Sequence, residues 1–141
     1  MQRIFIDSSV LFAAAYSTSG HSFDLLHMSA QGKIIVVLSD FVIEETRQNL
    51  AASNPEKLPL LEKIINAAKI EIIETSKEEV LDACQHITLK DAPILAAAKI
   101  AKVNMLVSLD KKHILSHPEL ATYVGAAILS PKEAFERIAK D

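Results

Sequence analysis

Tryptophan is absent from this 141-residue chain, and five phenylalanines and two tyrosines supply all of its aromatic surface. A platform that grips single-stranded bases by stacking is therefore not expected. The single cysteine, Cys84, excludes an internal disulfide and makes a reducing compartment the expectation. No apolar run approaches the roughly 20 residues that a membrane-crossing helix needs. Three glycines and five prolines leave little material for linkers, and no internal repeat or low-complexity tract is visible. Met1-Gln2-Arg3 runs straight into an apolar segment without a leader-like pattern, so the cytoplasm is the expected location.

Basic charge is scarce as well. Twelve lysines and three arginines face 18 acidic residues, for a net charge of −3. Such a chain is not held on nucleic acid by bulk electrostatics; any contact with RNA or DNA has to be local or assisted by metal ions. What remains is the composition of an ordinary folded domain, half apolar and 23% charged. Its length suits one domain, residues 1–141, with a substantial core.

Short apolar runs at Arg3–Ile6, Ile34–Leu38, Ile70–Ile73, Met105–Leu109 and Val124–Leu129 read as buried strands. Their apolar residues are continuous rather than alternating, which is the pattern of a parallel sheet covered on both faces. Between them lie helical patterns at Ser22–Ala30, Phe41–Leu50, Leu58–Ala68, Lys77–Gln85, Asp91–Ala101 and Pro131–Ala139, with another helix-compatible stretch beginning at Val10. Pro118 and Pro131 fall near helix starts. Strands alternating with helices predict a single-domain α/β three-layer sandwich. Its parallel sheet has about four to five strands, with helices on both faces and right-handed crossovers.

Four acids stand out against this frame. Asp7 follows Ile4-Phe5-Ile6, and Asp110 follows the run Met105–Leu109. Glu45 lies just beyond Ile34–Leu38, and Asp91 opens an alanine-rich helix. In an open α/β sheet the carboxyl ends of the strands converge on one crevice, so these side chains are expected to meet there. Carboxylates gathered without matching bases repel one another, and a divalent cation among them resolves the conflict. Each acid also has a plainer reading. Asp7 with Ser8-Ser9, and Asp91 with Ala92-Pro93, are suited to cap helices; Asp110 suits a turn; Glu45 can be a solvated helix residue beside Glu44. The case rests on the set.

The set and its context resemble the PIN-domain family of metal-dependent ribonucleases, which includes the toxin halves of many toxin–antitoxin pairs. The resemblance is carried by Phe5-Ile6-Asp7-Ser8-Ser9, by Ser39 followed six positions later by Glu45, by Asp91-Ala92-Pro93-Ile94-Leu95 and by Leu106-Val107-Ser108-Leu109-Asp110. It spans nearly the whole chain. The chain departs from the family pattern at Leu109, where glycine is frequent, and at Lys111-Lys112, where a further acid sometimes stands. The resemblance implies a PIN-like fold, hydrolysis of RNA to a 5′-phosphate and a 3′-hydroxyl, homodimerisation and an antitoxin protein as partner.

The residue chemistry points to Mg²⁺ or Mn²⁺, with Asp7 and Asp91 as anchors and Glu45 and Asp110 completing the shell directly or through water. Ser9 and Ser108 either orient these acids or make ordinary turn hydrogen bonds. Arg47, Lys111 and Lys112 are candidate contacts for substrate phosphates, or simply solvated charges. His113, near Asp110, is a candidate proton carrier; the other histidines show no zinc-ligand spacing. Leu58–Ala68 carries enough apolar residues for a dimer face or a partner groove, as well as for core packing. A catalytically silent PIN-like RNA-binding or protein-interaction module is the alternative. Other folds fit less well: a haloacid-dehalogenase phosphatase needs an acid where Ser9 stands, a response-regulator receiver needs paired acids after the first strand, and a dinucleotide-binding turn needs glycines.

Overall fold

The strand at Arg3–Ile6 (β1) occupies the centre of a five-stranded, wholly parallel sheet with the order β3-β2-β1-β4-β5. The other strands are Ile35–Ser39 (β2), Ile70–Ile73 (β3), Met105–Val107 (β4) and Ala127–Leu129 (β5). This computed structural model describes residues 1–140. Ile4, Phe5 and Ile6 are consecutive and fully buried, as are Val36, Val37 and Leu38, so helices cover both faces of the central strands. The register pairs Ile4 with Val36 on one side and with Met105 on the other.

Among the described residues, eight α-helices connect or flank the strands. They are Ser8–Tyr16 (α1), His21–Ala30 (α2), Asp40–Ser53 (α3), Leu58–Ala67 (α4), Lys77–Ala83 (α5), Ala92–Ala101 (α6), Glu119–Val124 (α7) and Pro131–Ala139 (α8). Helix α1 packs on α2, α3 and α4, whereas α6 packs on α5 and α7. Side-chain caps set several starts. Ser39 accepts from the Val42 N–H to begin α3, and Ser76 and Ser130 close reciprocal capping boxes with Glu79 and Glu133.

The α/β sandwich predicted from the sequence is the one observed, with five strands. Several boundaries differ by one to three residues, and three of the differences have a local cause. The expected strand Val124–Leu129 begins only at Ala127, because Val124 still belongs to α7 and Gly125 ends that helix at φ 77°. The run expected to reach Leu109 leaves the sheet after Val107, and Leu109 stands exposed with its N–H directed to the Ser9 hydroxyl. The first helix starts at Ser8 rather than Val10, since Asp7 caps it.

Candidate active site

The chain moves outward from β1 through β2 to β3, then crosses back to place β4 on the other side of β1. The switch point therefore lies between β1 and β4, and Asp7 and Asp110 follow the carboxyl ends of these two strands. An open cleft of about 680 Å³ forms there. Asp7, Glu45, Asp91 and Asp110 all line it, from four separate segments of the chain. Lys90 is the only basic residue among the lining side chains, so four carboxyl groups face one ammonium.

Asp7 is the most constrained of the four. Its Oδ1 accepts from the Ser9 hydroxyl at 2.6 Å and the Val10 N–H at 3.1 Å, and its Oδ2 accepts from the Ser108 hydroxyl at 2.5 Å. It is 3% exposed, and burial pushes its carboxyl above the ordinary range. The bonds from Ser108, Ser9 and Val10 oppose that shift, and the charge of Asp110 adds to it. Capping and site placement are thus both true of Asp7: one oxygen serves the helix start, and the carboxyl lines the cleft.

The two serines bind the strand ends together. Ser108, fully buried, donates to Asp7 and accepts from the Asp110 N–H at 3.0 Å. Ser9 donates to Asp7 and accepts from the Leu109 N–H at 3.1 Å. Asp110 caps a short π-type turn, Lys111–Leu115: its Oδ1 accepts from the His113 N–H at 2.9 Å, and its Oδ2 lies 3.2 Å from His113 Nδ1.

Asp91 precedes α6 but makes no side-chain cap bond. Among the described residues its carboxyl accepts one hydrogen bond, a long one from the Thr88 hydroxyl at 3.4 Å, so it remains largely free to bind something else. It is 9% exposed. Pro93 in the first turn of α6 needs no N–H partner, which removes one demand on a cap. Glu45 is half-buried and lines the cleft, whereas its neighbour Glu44 is exposed and lies 3.8 Å from Arg47.

The candidate substrate contacts sit elsewhere. Arg47 is engaged by Glu62 on α4, at 2.7 and 3.1 Å, and lies outside the residues lining the cleft. Lys111 and Lys112 are exposed on the π-type turn and do not line it either. The structure adds Lys90, Asn49, Phe12 and Ser8 instead. Ser8 carries the one buried side-chain oxygen or nitrogen without a hydrogen-bond partner among the described residues. Asn49 follows Glu45 by one helical turn, and that spacing is the signal that could have found it. Lys90 carried no signal beyond adjacency to Asp91.

The donor set fits a hard divalent cation. It consists of carboxylate oxygens, two of them on buried residues, and one oxygen each of Asp91 and Asp110 comes within 4.8 Å of the other and of a His113 ring nitrogen.

A family model described as a PIN domain matches residues 3–112. A search of curated protein sequences returned no significant match. Among solved structures, the chain is similar to PAE2754 from Pyrobaculum aerophilum, at 19% identity and a TM-score of 0.66, covering 99% of this chain and 98% of that one. It is similar to VapBC2 from Rickettsia felis, solved bound to a DNA fragment from its promoter, at 13% identity and a TM-score of 0.63; 91% of this chain and 98% of that one are covered. A third is VapC20 from Mycobacterium tuberculosis, described as a toxin that cleaves the sarcin–ricin loop. There the identity is 17% and the TM-score 0.55, covering 77% of this chain and 91% of that one.

Proposed function

We propose, from the premise that this chain belongs to the PIN-domain family, that it is a Mg²⁺- or Mn²⁺-dependent endoribonuclease and the toxin half of a toxin–antitoxin pair. The observation that carries the reading is the convergence of Asp7, Glu45, Asp91 and Asp110 on one cleft at the carboxyl end of a parallel sheet, with a single lysine to balance them. The similarity to VapBC2 and to VapC20, the latter described as a toxin that cleaves the sarcin–ricin loop, supports the choice of RNA and of an antitoxin partner.

Asp7 and Asp91 anchor the ion in this reading, and Glu45 and Asp110 complete its shell directly or through water. A bound ion of this kind activates a water and neutralises charge on the phosphodiester. The protein's share is orientation. Ser9 and Ser108 fix the Asp7 carboxylate, and Ser108 also fixes the backbone that presents Asp110. Lys90 offers the cleft's one ammonium to a substrate phosphate. Water attack on phosphorus, with departure of the 3′-oxygen, leaves a 5′-phosphate and a 3′-hydroxyl. The strip between α2 and α4, lined by Phe23, Leu26, Leu60, Ile64 and Ala67, supplies an apolar face for an antitoxin helix or a second copy of the chain.

Calorimetric titration of Mn²⁺ into the wild type and Asp91→Asn, without nucleic acid, tests this reading free of contaminating ribonucleases. Binding by the wild type and its loss in the variant are expected. RNA cleavage should then fall by several kcal/mol of barrier, roughly a hundredfold or more. Binding indifferent to Asp91, or no binding, would overturn the metal assignment and favour a non-catalytic interaction module.

A further inference from the structure

His113 belongs to no acidic motif, yet it stands beside two of the acids. One ring nitrogen of His113 and one carboxylate oxygen each of Asp91 and Asp110 lie within 4.8 Å of one another. Donors around an octahedral ion with bonds of about 2.1 Å sit roughly 3 Å apart when adjacent and about 4.2 Å apart when opposite. The three atoms therefore need only a small inward movement to share one ion. The His113 side chain is 43% exposed and has room to make it.

The local backbone places this imidazole. The π-type turn Lys111–Leu115 is held at its start by Asp110, whose Oδ1 accepts from the His113 N–H, and it is pinned to the core by Ile114, 2% exposed. Turns of this width are uncommon and recur at functional sites. His113 also lines the neighbouring cavity with Thr88, whose hydroxyl donates to Asp91. It thus stands on the rim where the acidic cleft ends.

We infer that His113 is a nitrogen ligand of the divalent ion at Asp91 and Asp110, and that it biases this site toward Mn²⁺ and Co²⁺ over Mg²⁺. This rests on the metal-dependent reading above. Imidazole is a poor donor for Mg²⁺, which favours oxygen and retains its waters, but an effective one for later first-row ions. A site of carboxylates alone would discriminate less. The His113–Asp110 contact of 3.2 Å is then the metal-free resting arrangement, which ligation replaces.

Mn²⁺ and Mg²⁺ affinities, measured by calorimetry on the wild type, His113→Ala and Asp91→Asn, together with pulsed electron-spin spectra of bound Mn²⁺, test the assignment. The wild-type spectrum should carry ¹⁴N modulation that His113→Ala removes. That variant should lose roughly tenfold or more in Mn²⁺ affinity while Mg²⁺ binding changes less than about twofold. A histidine that only orients Asp110 would weaken both ions alike and give no ¹⁴N signal, and that result would overturn the inference. Mn²⁺ binding that disappears in Asp91→Asn yet shows no ¹⁴N coupling in the wild type overturns only the role of His113. Absence of Mn²⁺ binding in the wild type overturns both this inference and the metal reading beneath it.

Discussion

Asp7 holds its carboxyl where water scarcely reaches, and three hydrogen bonds only partly offset the cost. Its folded-state pKa is raised, so the folded protein binds a proton more readily there than the unfolded chain does. That contribution to stability is fully present below the ordinary carboxylate value of about 3.9 and is lost as pH rises through the raised folded value. Above it, the ionised acid is a constant penalty unless a cation answers it. Metal-free Asp7→Asn should therefore unfold at higher urea concentration than the wild type near neutral pH, with the gap closing as the pH is lowered toward the ordinary carboxylate range. A wild type that is the more stable at neutral pH would mean that the serine bonds outweigh desolvation. The same scale explains what the sequence showed of the site. The four acids were visible because each ends an apolar run or opens a helix. Arg47 was a candidate substrate contact from its nearness to Glu45 alone, but two positions on a helix is more than half a turn, so it faces Glu62 while Asn49, four positions from Glu45, faces the cleft.

At the scale of elements, strands and helices were legible wherever hydrophobic continuity or a capping residue marked them, as at β1, β3 and α8. The β5 region was not, because Tyr123-Val124 and Ala127–Leu129 form one apolar stretch whose division depends on the left-handed turn at Gly125. A second left-handed residue is not glycine. Lys102 ends α6 at φ 52° and ψ 51°, its N–H bonded to the Lys99 carbonyl, so that the chain can turn into β4. A residue with a Cβ pays about 1 kcal/mol or more in this conformation, while glycine adds entropy to the unfolded chain. Lys102→Gly is expected to gain roughly 0.5–1 kcal/mol in urea unfolding. Lys102 is exposed and outside the cleft lining, so Mn²⁺ affinity should be unchanged. A loss of stability would show that the lysine stem contributes packing that outweighs the strain.

Over the whole molecule, the sheet order concentrates acids at one pole, and the chain's overall charge of −3 does nothing to offset them. A metal that binds only the folded protein stabilises it by mass action, by about 2.7 kcal/mol at a free concentration 100 times the dissociation constant. For a chain of this length that corresponds to roughly a 5–10 °C rise in the unfolding midpoint. Thermal unfolding with and without Mn²⁺ should show this rise at neutral pH. It should shrink at lower pH, where protons compete with the ion for Asp7, whose carboxyl is held above the ordinary range by burial. Asp91→Asn should lose most of the response, because that carboxyl is buried and nearly free of other side-chain partners. Glu62→Gln is the informative control. It removes a more exposed acid outside the cleft, where Arg47 holds it below the ordinary carboxylate range, so it should cost a little stability and leave the metal response intact. If Glu62→Gln reduced the response as much as Asp91→Asn, the ion would be sensing total negative charge, and the cleft would have no special claim on it.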